Sequence, residues 1–200
     1  IAWLGTALQW LAQWPWATVS VAQAPLWAGV AGVLGGLLLV LRGPWYLRLA
    51  GLPLLLPALL WQAPRPAPGE FTLVAADIGQ GNAVLIETAT HRLLYDTGPS
   101  YSGNSDSGSR VLLPYLRARG ITRLDGLVIS HSDADHSGGA LSLLEGVAVG
   151  WVSSSLPVSH QIVRHSPNHH TCVSGQSWSW DGVQFEMLQP TAESYALISL

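Results

Sequence analysis

The chain has 200 residues, a net charge of −3 and nine basic residues, all of them arginine. Only 10% of its residues are charged, against about a quarter in ordinary soluble domains. This balance argues against a protein that binds nucleic acid through a strongly basic surface, and the single cysteine, Cys172, excludes an internal disulfide framework.

The shortage of charge is concentrated in the first third of the chain. No charged residue lies between Ile1 and Leu41, and through Gly69 the only charged residues are three arginines. Seven of the ten tryptophans also precede residue 62. The remainder has the composition of a soluble domain, so the sequence predicts two parts that meet two different solvents.

Residues 1–61 are predicted to be a membrane region. The run PLWAGVAGVLGGLLLVL, residues 25–41, approaches the roughly 20 apolar residues that cross a bilayer, and its small residues suit close helix packing in lipid. Residues 45–61 are a second candidate span, with tryptophan at both ends as at membrane interfaces. The alternative is a buried helical hairpin in a soluble protein.

The orientation of this region is predicted from Arg42 and Arg48, which lie in or beside the connection between the two segments. Positive residues favour the cytoplasmic side, so the second segment is expected to return the chain outward. Residues 62–69, QAPRPAPG, are predicted to be a semi-rigid linker. Because the chain starts and stops within apolar runs, we expect it to be a fragment of a longer protein.

Residues 70–200 have the pattern of a mixed α/β domain. Short apolar runs separated by turn signals predict three strands, a helix that ends at Gly120, a buried strand LDGLVIS and a further helix in SGGALSLLEG. The segment WSWDGVQFEMLQP predicts a hairpin with Asp-Gly at its turn. Hairpin strands followed by alternating strands and helices indicate an α/β sandwich.

The segment HSDADHSGG, residues 131–139, concentrates metal-ligand side chains at the end of the predicted buried strand. Imidazole and carboxylate groups are ordinary ligands for first-row metals, and glycines at 138 and 139 permit close backbone approach. The alternative is a solvated turn whose aspartates cap the next helix, although one aspartate would suffice for that. The four predicted ligands are His131, Asp133, Asp135 and His136.

Several motifs of the soluble part resemble known families. HSDADH resembles the His-x-His-x-Asp-His signature of the metallo-β-lactamase superfamily, with Asp133 in place of the second histidine. The segments DIGQGNAVLI, VLLPYLRARGITRLDGLVISHSDADHSGG and WSWDGVQFEMLQP together resemble a narrower branch, the hydrolase-like domain of the ComEC family of competence proteins. Members of that family are inner-membrane channels for transforming DNA, and the resemblance extends over nearly all of the chain.

The resemblance implies a truncated αββα metallo-β-lactamase-like sandwich over residues 70–200, preceded by transmembrane helices. It places Asp96, in LLYDTG, and Asp77, in DIGQGN, close behind the metals as supporting groups, together with Gly138 and Gly139.

The expected cofactors are one or two divalent metal ions. His131 and Asp133 are expected to hold one ion, and Asp135 and His136 the other. Asp135 is also the predicted catalytic residue, because it could orient the attacking water. An aspartate in place of a histidine makes the site harder and favours Mn²⁺ over Zn²⁺ without excluding Zn²⁺, with Mg²⁺ as a third candidate.

The sequence departs from the family pattern in three respects. Asn82 stands where the family often has aspartate, and Ser194 lacks the asparagine that usually precedes it. Later Gly-Asp and His-His-Gly-Ser motifs are expected beyond Leu200, so the fragment by itself is expected to bind metal weakly.

The leading functional hypothesis is a DNA-uptake channel in the inner membrane, with a periplasmic nuclease domain. Its expected partners are a single DNA strand in transit, the membrane, other proteins of the competence machinery and the rest of the same polypeptide. The alternatives are a non-catalytic module that guides DNA or stabilises the channel, and a membrane-tethered hydrolase of small esters or lactams.

Other polar residues are assigned structural roles. Asp106 is predicted to cap the helix that follows it, and His91 to lie in a hairpin turn. The polar loop SHQIVRHSPNHHTC holds four histidines whose presence is interpreted as incidental, with a further metal ligand as the alternative. They are His160, His165, His169 and His170.

Overall fold

The computed structural model describes residues 2–14, 17, 19, 21–103 and 105–191. The chain divides into two compact units. The first comprises Ile1–Ala63 with Arg117–Gly120, and the second Pro64–Leu116 with Ile121–Leu200. Ser194 lies outside the described residues.

The first unit is helical. Helix α2 begins directly after Pro25, whose fixed φ is compatible with a helix start, and α3 likewise begins directly after Pro44. Apolar residues predominate in the helices that the structure describes in this unit, which are α1 (Ala2–Ala12), α2 (Leu26–Val40), α3 (Trp45–Leu49) and α4 (Gly51–Leu59).

Helices α2 and α4 pack together through small residues. A Cβ built on Gly35 would lie 2.6 Å from the carbonyl oxygen of Gly51 and 2.9 Å from Cβ of Leu54. Only glycine lets the two backbones approach this closely, as in other helix pairs that meet through small residues.

Both predicted membrane segments form helices. Helix α2 has 15 residues, fewer than the roughly 20 that span a hydrocarbon core. Among the residues that the structure describes, no helix combines the length and apolarity needed to cross a membrane. The two predicted spans, residues 25–41 and 45–61, therefore stay predictions.

The second unit is built on a six-stranded mixed sheet of order β1-β2-β3-β6-β7-β8. The first three strands are antiparallel neighbours, whereas β3-β6, β6-β7 and β7-β8 are parallel. The strands of this sheet are β1 (Thr72–Ala75), β2 (Val84–Glu87), β3 (Arg92–Tyr95), β6 (Arg123–Ile129), β7 (Ala148–Ser154) and β8 (His169–Thr171).

The described part of this unit also contains two short hairpins and four helices. A π-helical turn over Gly108–Leu112 leads into α5, so the predicted helix begins with a wider turn. The hairpin strands are β4 (Ser100–Ser102) with β5 (Ser105–Asp106), and β9 (Ser177–Trp180) with β10 (Val183–Glu186). The helices are α5 (Leu113–Ala118), α6 (Ala134–Ser137), α7 (Ala140–Gly146) and α8 (Gln161–His165).

The two faces of the sheet bury different partners, because side chains alternate along each strand. On one face, strand residues such as Leu94 and Leu127 pack with Leu116 and Leu143 of the helices. On the other face, Leu93 joins a cluster with the β9–β10 hairpin. The domain is thus a mixed α/β fold with helices on one side and a hairpin on the other.

Asp181 lies at the turn of the predicted hairpin, and its hydrogen bonds connect β9–β10 to the turn between β2 and β3. Its carboxylate accepts hydrogen bonds from the Thr88 hydroxyl (2.6 Å) and from the Thr90 amide and hydroxyl (both 2.7 Å). These bonds hold the pKa of Asp181 well below its usual range. His91 lies in the same turn, as predicted, and its ring stacks on Trp180 with centroids 4.8 Å apart.

Arg65 of the linker forms a buried ion pair with Glu87 within the second unit. Glu87 is 1% exposed, and its Oε1 accepts hydrogen bonds from Arg65 of the linker and from Arg92, both at 3.0 Å. Arg65 also donates to the carbonyl oxygens of Ala89 and His91. Burial is the main cause that lowers the pKa of Arg65.

Candidate functional site

The predicted ligand motif lies where the central strand β6 ends. Strand β6 is buried throughout Gly126–Ile129, and the chain then forms a turn and the four-residue helix α6. Asp133 occupies the position before that helix, but among the described residues its side chain makes no capping hydrogen bond. Capping therefore does not account for this aspartate.

Asp96 is the centre of a buried polar network beneath the motif. It is 0% exposed and has a left-handed φ of +58°. Its Oδ1 accepts a hydrogen bond from the amide of Ser130 at 2.7 Å. Its Oδ2 accepts from the Ser130 hydroxyl at 2.8 Å and from Nδ1 of His136 at 2.7 Å.

This network orients both histidines of the motif. Because the single hydroxyl hydrogen of Ser130 is donated to Asp96, its oxygen accepts from Nδ1 of His131, 2.8 Å away. His136 donates its own Nδ1 hydrogen to Asp96. In both rings Nε2 is then the nitrogen with a free lone pair, which is the protonation that metal binding requires.

The free nitrogens face carboxylate oxygens of the same motif. Nε2 of His131 is 3.3 Å from Oδ2 of Asp133, and Nε2 of His136 is 3.8 Å from Oδ2 of Asp135. The centroids of the two imidazole rings are 4.0 Å apart. The motif therefore forms two pairs of atoms that could donate electrons to a metal, each with one nitrogen and one oxygen. These donor pairs are His131 with Asp133, and Asp135 with His136.

These donor pairs are compatible with divalent ions. Two donors bound tetrahedrally to one ion at about 2.1 Å are separated by about 3.4 Å, close to the 3.3 Å between His131 and Asp133. Within residues 2–191 as far as they are described, no three His, Cys, Asp or Glu side chains form one group that could hold a metal. The described residues thus supply pairs of ligands rather than a complete ligand set.

Two neighbouring loops hold the backbone of the motif. The amide of Asn82 donates to the carbonyl oxygen of Asp135 at 3.2 Å. The amide and hydroxyl of Thr97 donate to the carbonyl oxygen of His136 at 2.7 and 3.0 Å. Gly81 has a φ of +103°, and a Cβ on it would collide with the Asp135 carbonyl. The DIGQGN loop can therefore reach the motif only with glycine at this position.

Gly138 and Gly139 lie where backbones approach closely, but the neighbours are other loops of the fold. A Cβ on Gly138 would collide with the amide nitrogen of Ser100. A Cβ on Gly139 would lie 2.5 Å from the carbonyl oxygen of Thr97. These glycines let the motif pack against residues 97–100.

The structure also describes the surroundings of the other predicted candidates. Asp77 is exposed in the loop 76–83. Asp106 accepts the amide of Ser109 at 2.8 Å, which confirms its capping role. Nε2 of His169 is 2.8 Å from the Ser154 hydroxyl, and burial lowers the pKa of this imidazole.

The remaining histidines of the polar loop have separate contacts. Nδ1 of His160 accepts from the amide of Ile162 at 3.3 Å, and Nδ1 of His165 lies 2.8 Å from the carbonyl oxygen of Gln161. His170 lines a cavity of about 470 Å³ with three tryptophans.

A second cavity, of about 430 Å³, adjoins the polar network at Ser130. Tyr95 and Cys172 also line it. Burial is the main cause that raises the pKa of both side chains, and the charge of Asp96 acts in the same direction. The phenol and the thiol therefore favour their neutral forms.

Ser130 and Thr97 were not predicted from the sequence as parts of the site. Their roles depend on contacts with residues 34 and 39 positions away in the chain. The available signal was the position of Ser130, between the buried strand and the first histidine.

Comparisons with known proteins agree with the motifs. Residues 76–172 match the sequence profile of the metallo-beta-lactamase superfamily. The chain is 32% identical to the uncharacterized protein YcaI of Escherichia coli, over 91% of this chain and 21% of that protein. It is 36% identical to competence protein ComA of Neisseria gonorrhoeae, over 86% and 23% of the two chains.

A third relative is the ComE operon protein 3 of Bacillus subtilis, with 39% identity over 62% of this chain and 18% of that protein. The chain spans about a fifth of the length of these curated relatives. Together with the superfamily match, these similarities show that the chain belongs to the ComEC family of competence proteins and contains its metallo-β-lactamase domain.

Proposed function

We propose that this chain is part of a DNA-uptake protein and that its metallo-β-lactamase domain is a metal-dependent nuclease that acts on incoming DNA. The observation that supports this proposal is the buried Asp96–Ser130 network, which leaves Nε2 of both His131 and His136 free to bind a metal. Such orientation by a carboxylate behind the histidine is typical of metal sites.

The ligands in this proposal are His131 with Asp133, and Asp135 with His136. A divalent ion at these pairs would supply Lewis-acid polarisation of a phosphoryl oxygen and would lower the pKa of a bound water. Mn²⁺, Zn²⁺ and Mg²⁺ are the candidate ions, because each pair combines an imidazole with a carboxylate.

Asp135 has the role of positioning the attacking water. Its side chain is 36% exposed, so solvent reaches it, while its carbonyl oxygen is fixed by the amide of Asn82. The carboxylate accepts a hydrogen bond from a water that attacks phosphorus. The bond from phosphorus to the leaving oxygen then breaks, and the leaving oxygen takes up the proton that the attacking water releases.

The test is metal-dependent cleavage by the full-length protein, with single-stranded DNA and small esters as substrates. Asp135→Asn should lower DNA cleavage by about 100- to 10,000-fold, the usual contribution of a positioned acid–base group. Asp125→Asn is the matched control, because Asp125 lies within β6 and accepts the Arg92 amide at 2.8 Å. It should cleave DNA like the wild type.

Two other results would assign a different function. Turnover of esters without DNA cleavage would identify a membrane-tethered hydrolase of small molecules. Normal transformation by cells that accumulate Asp135→Asn protein would identify a non-catalytic module that guides DNA or stabilises the channel.

We also propose that residues 1–61 lie in the cell inner membrane and that the domain lies on its periplasmic side. The support is the apolar composition of residues 1–61 and the position of Arg42 and Arg48, which lie in or beside the connection between the two apolar segments. A reporter fused after Gly69 should be active only outside the cytoplasm. Cytoplasmic activity of that fusion would reverse the orientation.

A further inference from the structure

Tyr101 is a large aromatic residue held in a fixed position at the surface. It lies in β4, and its hydroxyl donates a hydrogen bond of 2.8 Å to the carbonyl oxygen of Ile78. The residue is nevertheless 44% exposed. Because the hydroxyl is anchored, the ring has lost most of its rotational freedom while part of its surface stays open to solvent.

The segments around Tyr101 are the same ones that hold the motif. Its anchor, Ile78, belongs to the DIGQGN loop, whose Asn82 binds the carbonyl oxygen of Asp135. The neighbouring Ser100 meets Gly138 so closely that a Cβ there would collide with it. Gly98 also forms a β-bridge with Ser137. Tyr101 is therefore positioned by the two backbones that position Asp135.

The exposed part of the ring is a flat aromatic surface, which suits a planar ligand. The adjoining residues 100, 102, 103 and 105 are serine or glycine, so they add no bulky side chain beside the phenol. The chain has a net charge of −3 and no lysine, so a basic surface contributes little to DNA affinity. Stacking of bases on aromatic rings supplies affinity that does not depend on such a surface.

We propose that Tyr101 is a substrate-positioning residue whose ring stacks on an unpaired nucleobase of the DNA strand at the donor pairs. This inference rests on the proposed function, because it specifies how that site holds its substrate. It selects a single strand, since the bases of a duplex already stack on their neighbours, whereas unpaired bases can be displayed to aromatic side chains.

The experiment measures binding of a fluorescent single-stranded oligonucleotide to the full-length protein in EDTA, where metal-dependent cleavage cannot occur. A second oligonucleotide carries abasic sites, so it keeps the phosphates and lacks the bases. The wild type should bind the normal strand about 5- to 150-fold more tightly than the abasic strand, the range for stacking of one base. Tyr101→Ala should lose this preference, and Tyr101→Phe should retain most of it.

Phe71→Ala is the matched control, because Phe71 is 54% exposed and precedes β1, at the far end of that strand from the DIGQGN loop. This variant should keep the wild-type preference. An unchanged preference for the normal strand in Tyr101→Ala would overturn the inference, as would equal loss in Phe71→Ala. Failure of the nuclease proposal would instead appear as absent cleavage with metal, whatever the binding result.

Discussion

Replacing Asp96 by asparagine tests how the fold prepares the histidines. The substitution keeps the size of the side chain but turns one carboxylate oxygen into an NH₂ group. If the remaining oxygen keeps the Ser130 amide at 2.7 Å, the NH₂ group faces the Ser130 hydroxyl and Nδ1 of His136. The ring of His136 can then pair with this donor only by accepting at Nδ1, which moves its hydrogen to Nε2.

The expected result is a large loss of metal affinity with a modest loss of stability. A hydrogen on Nε2 of His136 blocks the nitrogen that faces Asp135, and changes of this kind typically cost about 10- to 100-fold in metal affinity. The altered buried hydrogen bonds should lower the free energy of unfolding by about 1–3 kcal/mol. Metal affinity is measured by competition with a chelating dye, and stability by urea denaturation.

Asp106→Asn is the control for this experiment. Asp106 also accepts one amide and one serine hydroxyl, from Ser109 at 2.8 Å and Ser142 at 2.7 Å. It should lose stability and keep metal affinity. Wild-type metal affinity in a folded Asp96→Asn protein would refute the tautomer argument, because the fold would then not need Asp96 to free Nε2 of His136.

Three further predictions concern the scaffold. Glu87→Ala should lower the free energy of unfolding by about 3 kcal/mol in urea denaturation, because each charge-assisted hydrogen bond to a buried carboxylate contributes about 1.5–3 kcal/mol. Asp181→Ala should be less stable than wild type at pH 7. Since its folded pKa is lowered, that difference should shrink as pH falls below about 4, the usual value in an unfolded chain. Gly35→Leu should separate α2 from α4 and reduce accumulation of the protein. Gly36→Leu should not, because no described atom beyond its own stretch of α2 lies within 4 Å of its Cβ position.

The strands of the second unit could largely be predicted because local pattern and tertiary environment agree. The first three strands, β6 and the β9–β10 hairpin all coincide with apolar runs bounded by turn residues, and these predictions are confirmed. Strand β8 could not be found this way. Its sequence is His-His-Thr, and it is a strand because it pairs in parallel with β7, with Val152 opposite His169. That pairing is a tertiary contact without a local signal.

The β4–β5 hairpin was missed for a related reason. Residues 99–106, PSYSGNSD, have the composition of a loop. The hairpin is held from outside, by the Tyr101 hydroxyl on Ile78 and by the amide of Ser107 on the carbonyl oxygen of Pro99 at 2.9 Å. The same limit applies to the site. The spacing of the motif indicated the proposed ligands, but the role of Ser130 depends on its hydrogen bonds to Asp96, which is distant in the sequence.

The donor pairs suggest a physical consequence of having Asp133 where the superfamily signature has its second histidine. With histidine at position 133, one proposed ion would have two imidazoles and the other an imidazole and a carboxylate. With Asp133, both pairs have one nitrogen and one oxygen donor, at 3.3 and 3.8 Å. Ligand hardness is then equal at the two positions, and carboxylate oxygen suits Mn²⁺ and Mg²⁺ better than a second imidazole would. Asp133 is 70% exposed and makes no capping bond within the described part of the chain, so its carboxylate is open to solvent and is not committed to capping the helix.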